Sequence, residues 1–167
     1  MTEARATRKR IGCDASGVPL AGSIDGQRHF HLRFDASEED IDELGHVNNT
    51  TWVAWIQDAS VAHWFAAARP GDADTFVAVV LRHEVDYRGN IKAGESATAA
   101  TWVEGRPRGA RYARRVEFTD VKGRLLVESL SQWALLEKAT GRLVRVPAEV
   151  AAPFLTDGHE AQGSRDD

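Results

Sequence analysis

Residues 40–49 read DIDELGHVNN and stand immediately before a long helical pattern. From about Asn48 to Arg69, apolar and aromatic residues recur at spacings of three and four, which predicts one long helix with a strongly apolar face. That face comprises Trp52, Trp55, Ile56, Ala59 and His63. Pro70 and Gly71 end the pattern. At ~1.5 Å per residue the helix would be about 30 Å long, which is the span of a small domain.

Strand patterns lie on both sides of this helix. Before it, Phe30, Leu32 and Phe34 alternate with polar residues, which predicts a half-buried strand. After it come segments rich in Val, Thr and aromatic residues, separated by turns that contain glycine: 75–87, 95–104, 110–119, 124–137 and a short one at 142–146. Short links favour antiparallel neighbours. The order predicts an α+β fold in which one antiparallel sheet, of about five or six strands, wraps around one long helix.

Length and composition place the chain among ordinary globular proteins. Its 167 residues carry a net charge of −4, and 43% of them are hydrophobic. We predict one domain at residues 27–155, with loosely ordered tails at 1–26 and 156–167, where no periodicity is sustained. No run approaches the ~20 apolar residues that a membrane span requires. The mild acidity argues against a surface designed for nucleic acid.

The single cysteine, Cys13, excludes an intrachain disulfide and a thiolate-based zinc site. One cysteine fits a reducing compartment, and no apolar signal-peptide core follows the basic residues 1–11. We therefore predict a cytoplasmic protein. His29 and His31 lie on one side of a strand, but without a clear third ligand they are interpreted as strand surface, and no metal or other cofactor is expected.

The string at residues 40–49 resembles the D-x-D-x-x-G-H-V-N-N motif of hotdog-fold thioesterases of the 4-hydroxybenzoyl-CoA thioesterase type, and plant acyl-ACP thioesterases show a related H-V-N-N segment. The resemblance extends from about residue 29 to 147, with Tyr87, Gly94, Trp133 and Thr140-Gly141-Arg142 at positions typical of the family. One departure is Trp52, where the family usually has Tyr. The resemblance implies a hotdog fold, acyl-CoA thioesterase activity without a metal, and an active site at the seam of a homodimer or homotetramer.

The candidate catalytic residues lie in the same string. A carboxylate just before a helix feels the positive end of the helix dipole, so Asp42 is expected to be ionised at neutral pH and available as base or nucleophile. A helix amino terminus also supplies amide donors for a developing oxyanion. The resemblance places the family's conserved acid on Asp42 and the oxyanion-binding amide near Asn49. In some branches it also gives a catalytic or positioning role to the histidine that is His46 here.

The substrate-binding candidates are Asn48, Trp52, Trp55, Arg108 and Arg111. For Asn48, the alternative to substrate binding is an ordinary role as a helix cap. Trp52 and Trp55 have the spacing of core residues, and acyl-pocket contact is implied only by the resemblance. Arg108 and Arg111 flank a hairpin turn and could hold the phosphates of coenzyme A. The alternative is a solvated hairpin in which all nearby arginines face water, namely Arg106, Arg108, Arg111, Arg114 and Arg115.

Three functions remain open from the sequence. The first is an acyl-CoA thioesterase, whose partner is its acyl-CoA substrate. The second is an enoyl-thioester hydratase or dehydratase on the same fold, against which the absence of Pro from the motif counts. The third is a non-catalytic acyl-thioester-binding protein.

Overall fold

The computed structural model describes residues 10–156. Nine helices and strands follow one another along this part of the chain: β1 (Ser23–Ile24), β2 (Phe30–Asp35), α1 (Asn49–Ala67), α2 (Asp72–Thr75), β3 (Phe76–Tyr87), β4 (Ser96–Arg108), β5 (Arg111–Thr119), β6 (Leu125–Glu137) and α3 (Ala148–Ala151). Single 3-10 turns stand at Glu38–Asp40 and Ala152–Phe154.

All six strands form one antiparallel sheet in the order β1-β2-β4-β5-β6-β3. Because β3 pairs only with β6, it is an edge strand although it lies in the middle of the chain. The predicted α+β class, with one sheet and one long helix, is confirmed. The long helix and the strands on either side of it also begin and end within a few residues of their predicted bounds.

The core lies between α1 and one face of the sheet. Trp52 and Trp55 from α1 meet Phe34 of β2 and Phe118 of β5, with ring centroids 5.1–6.3 Å apart. Trp52 and Phe118 are fully buried. Aromatic side chains of this size contribute much of the apolar area that a small domain buries. The spacing of three and four in the sequence therefore marks the face of α1 that packs on the sheet.

Two predictions about smaller elements were wrong. The segment 142–146 is not a strand: only one isolated bridge joins Leu143 to Leu136. Residues 10–26, interpreted as part of a loosely ordered tail, are mostly exposed but are attached to the domain at defined points. Cys13 is fully buried, and β1 pairs with β2. Residues 1–9 and 157–167 of the predicted tails lie outside the described residues.

The amino-terminal segment reaches the core through its backbone. The Gly12 N–H donates a 2.8 Å hydrogen bond to Oδ1 of Asp58 on α1. A Cβ at Gly12 would lie 2.8–2.9 Å from atoms of Val61 and Ala62, so only glycine allows this approach. Such a contact leaves no hydrophobic periodicity, which is why the sequence pattern did not reveal it.

The free edge of the sheet carries exposed apolar side chains. Val77, Val79, Leu81 and Tyr87 of β3 are each at least 39% exposed. An edge strand with unpaired backbone groups and apolar side chains is a surface on which another strand can pair. Within residues 10–156 we find no helix that could serve as a membrane span.

Candidate active site

A tight turn holds the motif ahead of α1. Ile41 and Val47 form an antiparallel bridge, and the Asp42 N–H donates to the His46 carbonyl at 2.9 Å. The Gly45 N–H closes the turn on the Asp42 carbonyl at 3.0 Å. Gly45 has a φ of +78°, a conformation that a side chain disfavours. The glycine of the motif thus serves the backbone geometry that positions Asp42.

The Asp42 carboxylate is half-buried and anchored on one side. Its Oδ1 accepts hydrogen bonds from the backbone N–H groups of Leu44, at 2.9 Å, and His46, at 3.4 Å. Its Oδ2 makes no hydrogen bond with any residue in 10–156, so one oxygen orients the group while the other is open to water or a substrate. This division suits a general base or a nucleophile.

The amino terminus of α1 begins within a few residues of this carboxylate. Asn48 is the N-cap, and its Oδ1 accepts from the Thr50 N–H at 2.9 Å and from the Thr50 hydroxyl at 2.8 Å. Asn49 is exposed, and its N–H has no hydrogen-bond acceptor within the described part of the chain. A free amide at a helix start can donate to an anion. It therefore fits the predicted oxyanion-binding role.

Four predicted site residues are brought together by this arrangement. Asp42, His46, Asn48 and Asn49 share the segment between the Ile41–Val47 bridge and the first turn of α1. His46 is half-buried, and its backbone N–H and carbonyl both bond to Asp42. Asn48 serves as a helix cap, which is the competing role that the sequence left open for it, and its side-chain oxygen is engaged by Thr50.

Trp52 and Trp55 are core residues. Trp52 is fully buried and Trp55 is 8% exposed, so in one protomer Trp52 offers no surface to a ligand. The core interpretation of their helical spacing accounts for both side chains. Both rings pack on Phe118, and only Trp55 keeps some exposed surface with which it could contact an acyl group.

Arg108 and Arg111 lie far from Asp42 within one protomer. They face each other across the β4–β5 turn, at the end of β4 opposite Ser96. The Ser96 end is the one near the motif, because the Ala36 N–H bonds to Glu95 and the Val47 N–H bonds to Ile91. At ~3.3 Å per residue, β4 separates these ends by roughly 40 Å.

One residue that joins the motif to the sheet was missed. Asn90, in the loop after β3, donates from Nδ2 to the Val47 carbonyl at 3.0 Å. Its Oδ1 accepts from the Ile91 N–H at 2.9 Å and from Nε1 of Trp52 at 3.3 Å. In the sequence this asparagine is one polar residue within a turn between strands, and no local signal separates it from the others.

The solvated-hairpin interpretation fails for one arginine. Arg114 is only 3% exposed and donates from Nη1 to Nδ1 of His63 at 3.0 Å and to the Thr101 hydroxyl at 3.0 Å. The alternation along the strand indicates this burial, because Arg114 lies on the same face of β5 as Val116 and Phe118, which are fully buried.

The two strand histidines have local partners. His31 Nε2 lies 2.8 Å from Oδ2 of Asp25, and the His29 ring stacks on Trp102 with centroids 4.3 Å apart. The His31 contact lowers the pKa of Asp25 to about 2. Within residues 10–156, no cluster of three or more His, Cys, Asp or Glu side chains is placed to hold a metal ion.

Comparisons with known proteins agree with this architecture. The chain superimposes on a thioesterase from Thermus thermophilus complexed with coenzyme A and Zn, with a TM-score of 0.64, 25% identity, and 74% of this chain and 90% of that chain covered. It also resembles a 1,4-dihydroxy-2-naphthoyl-CoA thioesterase from Synechocystis, with a TM-score of 0.63, 11% identity and coverage of 75% and 95%. A third similar structure is that of a hypothetical protein from Staphylococcus aureus in complex with CoA. Its TM-score is 0.69 at 12% identity, and the match covers 88% of this chain and 98% of that chain.

These likenesses establish the hotdog fold that the sequence resemblance implied. A search of curated protein sequences gave no match. The model of one protein family, described as the thioesterase-like superfamily, matches residues 37–154, which run from just before the motif to the end of the last 3-10 turn. Since this match covers most of the chain, the protein belongs to the thioesterase-like superfamily.

Proposed function

We propose that this protein hydrolyses an acyl-CoA thioester to the free acid and coenzyme A, as enzymes of the 4-hydroxybenzoyl-CoA thioesterase type do. Membership in the superfamily supports thioester hydrolysis as the class of reaction. The observation that carries the proposal is the half-buried Asp42 carboxylate, which has one oxygen anchored by backbone amides and the other open, a few residues before a free amide at the start of α1.

The reaction uses the two groups in complementary roles. Asp42 either removes a proton from a water molecule that attacks the thioester carbonyl, or attacks the carbonyl itself and forms a mixed anhydride that water then hydrolyses. The Asn49 N–H donates to the oxyanion that forms in either case. The C–S bond breaks and the thiolate leaves with little protonation, since a thiol has a pKa of about 8.5.

His46 is proposed to support Asp42. Its backbone N–H and carbonyl both bond to Asp42, and its half-buried side chain stands four residues after Asp42 in the sequence. We assign it a catalytic or positioning role at the thioester.

The partner is proposed to be acyl-CoA, and coenzyme A is named in the structures of the Thermus thermophilus and Staphylococcus aureus proteins. Arg108 and Arg111 are kept as candidate contacts to its phosphates. Since they lie at the far end of the sheet in one protomer, they would have to act on the motif of a second copy.

An antiparallel pairing of two β3 edges would supply that geometry. The start of β3 lies at the hairpin end of the sheet, and its end leads into Asn90 beside the motif. Pairing β3 with a second β3 in antiparallel fashion therefore brings the hairpin end of one copy to the motif end of the other. The exposed Val77, Val79 and Leu81 favour such a seam. We propose a homodimer, or a homotetramer of such dimers, with Trp55 at the margin of the completed pocket.

The compartment proposed is the cytoplasm. Cys13 is a buried free thiol, which fits a reducing environment.

A panel of acyl-CoA substrates tests the proposed reaction. Release of free thiol would be followed with a thiol-reactive dye, and the acyl products would be identified by mass spectrometry. We expect thiol release with formation of the free acid for at least one aliphatic or aromatic acyl-CoA. Hydration of an enoyl-CoA without thiol release would show a hydratase instead. Binding of acyl-CoA with no product of either kind would show a non-catalytic binder.

A further inference from the structure

Outside the motif, β5 carries a buried charged side chain, that of Arg114. Arg114 is 3% exposed, and residues 10–156 provide no carboxylate within ion-pair distance of it. Its hydrogen-bond acceptors His63 Nδ1 and the Thr101 hydroxyl carry no negative charge. A guanidinium taken out of water without a counter-charge is costly, and such groups are normally paired.

The neighbouring groups hold the guanidinium in one orientation. His63 is fully buried on α1, and burial together with the nearby Arg114 charge lowers its pKa to about 2, so the ring is neutral and accepts at Nδ1. The Thr101 hydroxyl donates onward to the Arg115 carbonyl at 2.9 Å and accepts from Arg114. The Tyr112 hydroxyl also lies beside the guanidinium, and it stays neutral because burial raises its pKa. A guanidinium has five N–H donors, so these neutral neighbours leave both its charge and part of its donor capacity unmatched.

A cavity of about 310 Å³ opens beside this side chain, and we call it the Arg114 cavity. Its walls include the aromatic side chains of Trp64, Phe65, Tyr112 and Trp133. Its lining contains three cationic residues, Arg10, Arg114 and Lys138, and no acidic residue of the described chain. The protein as a whole has a net charge of −4, so this local excess of positive charge is not a property of the surface in general.

Trp133, whose ring lines the cavity, also has a buried polar atom without a partner in residues 10–156. The indole Nε1 of Trp133 is buried and makes no hydrogen bond with any described residue. Trp133 is 4% exposed, and its N–H can only donate. This nitrogen has almost no accessible surface, so a ligand in the cavity would contact the Trp133 ring rather than its N–H, and Arg114 is the buried charge of the lining, with Arg10 and Lys138 as further cations. A ligand that satisfies Arg114 must present acceptor oxygens with a negative charge, and one that fits the rest of the wall must have an apolar body.

We propose that the Arg114 cavity binds a small apolar carboxylic acid as its anion, with the carboxylate on Arg114 and the carbon skeleton against the aromatic side chains of the wall, Trp133 among them. The planar guanidinium matches a carboxylate in geometry and charge. Within one protomer the cavity lies along the second half of α1, roughly 20 Å from the motif at the helix start. Val77 of the cavity lining also belongs to the proposed β3 seam, so in that dimer the second copy lies along the cavity. The carboxylate site is argued from the single chain and does not use the thioesterase assignment.

Calorimetric titration of the full chain with octanoate tests this site. 1-Octanol has the same alkyl chain without the charge, and octylamine has the opposite charge. We expect octanoate to bind at least tenfold more tightly than 1-octanol, and octylamine not to bind. Equal affinity for octanoate and 1-octanol would overturn the proposal. No binding of octanoate would also overturn it, and is the result expected if an acidic side chain of a second copy fills the cavity.

Two variants and a matched control assign the binding to named atoms. Arg114→Met keeps a similar volume without the charge and should abolish the preference for octanoate over 1-octanol. Arg114→Lys keeps a positive charge without the planar guanidinium and should weaken octanoate several-fold while leaving 1-octanol unchanged, which tests the site even if Arg114→Met does not fold. Arg115→Met removes the neighbouring arginine, which pairs with Glu104 instead, and should behave as wild type. Retention of the octanoate preference in Arg114→Met, or wild-type affinity for octanoate in Arg114→Lys, would contradict the proposal.

The titration is repeated on Asp42→Asn to keep the two assignments apart. We expect this variant to bind octanoate as wild type does, whether or not it hydrolyses thioesters. A chain that binds octanoate and hydrolyses no acyl-CoA would leave this inference standing and refute the proposed function. The converse result would refute this inference alone.

Discussion

The side chain of Asn90 donates a 3.0 Å hydrogen bond to the carbonyl oxygen of Val47 and so fastens the loop after β3 to the motif. The same side chain accepts from Trp52 Nε1. One amide thus connects the motif, the first turns of α1 and the end of the edge strand.

Replacing Asn90 with alanine tests this connection. Asn90→Ala leaves the Trp52 indole N–H without its acceptor in the core, so we expect the free energy of unfolding to fall by about 1–3 kcal/mol. Chemical denaturation measures the change, with the exposed amide variant Gln27→Ala as control. An unfolding midpoint equal to that of the control would show that the connection contributes nothing to stability.

Asn48→Ala removes the cap of α1. The loss of the bonds from the Thr50 N–H and hydroxyl should destabilise the protein by about 1 kcal/mol. Asn48→Asp retains an accepting oxygen and should restore most of that loss. Thermal unfolding of the three proteins measures the difference, and equal loss in both variants would argue against capping as the role of Asn48.

Gly45→Ala strains the turn that orients Asp42. Because φ at Gly45 is +78° and no atom lies within 4 Å of a Cβ placed there, strain is the only expected effect, at about 1–2 kcal/mol. Gly45→Asn should be milder, since Asn tolerates the left-handed region. Gly26→Ala is the control, as it is equally open but lacks the positive φ. Similar unfolding midpoints for Gly45→Ala and Gly26→Ala would refute the strain.

The buried His63 predicts loss of stability in mild acid. Its pKa falls from 6.5 in the unfolded chain to about 2 in the folded protein, chiefly through burial and secondly through Arg114. Between these values the unfolded chain binds the extra proton, so the contribution of His63 is fully present above pH 6.5 and declines as the pH falls below it, by roughly 1 kcal/mol per pH unit. Burial lowers the pKa of His83 as well, which adds in the same direction.

Urea denaturation at pH 7 and pH 5 measures this dependence. His63→Gln does not titrate and keeps an acceptor for Arg114, so it should lose less stability than wild type over this interval. An identical loss in both proteins would show that His63 is not the titrating group.

The sequence predicted the features that repeat along the chain. The spacing of Trp52, Trp55 and Ile56 determined the length and buried face of α1, and the alternation in β2 and the glycine turns located the strands. The string at residues 40–49 located Asp42 and the start of α1 together, because both lie on one continuous segment. Such patterns can be recognised in the sequence because each depends only on the local geometry of one helix, strand or turn.

Features that depend on contacts between distant segments could not be predicted. Asn90 meets Val47 across 43 residues, and Gly12 meets Asp58 across 46. Arg114 was interpreted as part of a solvated hairpin because neighbouring arginines dominate the local composition, whereas its position in the alternation with Val116 places it inside. Arg108 and Arg111 have the chemistry to bind phosphates, but only the strand register shows how far they lie from Asp42 in one protomer.

The role of Asp42 is the claim on which the proposed function depends. Asp42→Asn keeps an oxygen that can accept from Leu44 and His46, so the turn and the fold should persist while the base or nucleophile is lost. Glu43→Gln is the matched control, since it removes the same charge from the exposed neighbouring side chain.

The most direct measurement is the turnover number of these two variants and wild type on the best acyl-CoA substrate of the panel, with circular dichroism confirming that all three are folded. We expect Asp42→Asn to lose turnover by roughly 10²-fold or more, and Glu43→Gln to stay within a few-fold of wild type. A folded Asp42→Asn protein that releases thiol at the wild-type rate would contradict the proposed role of Asp42.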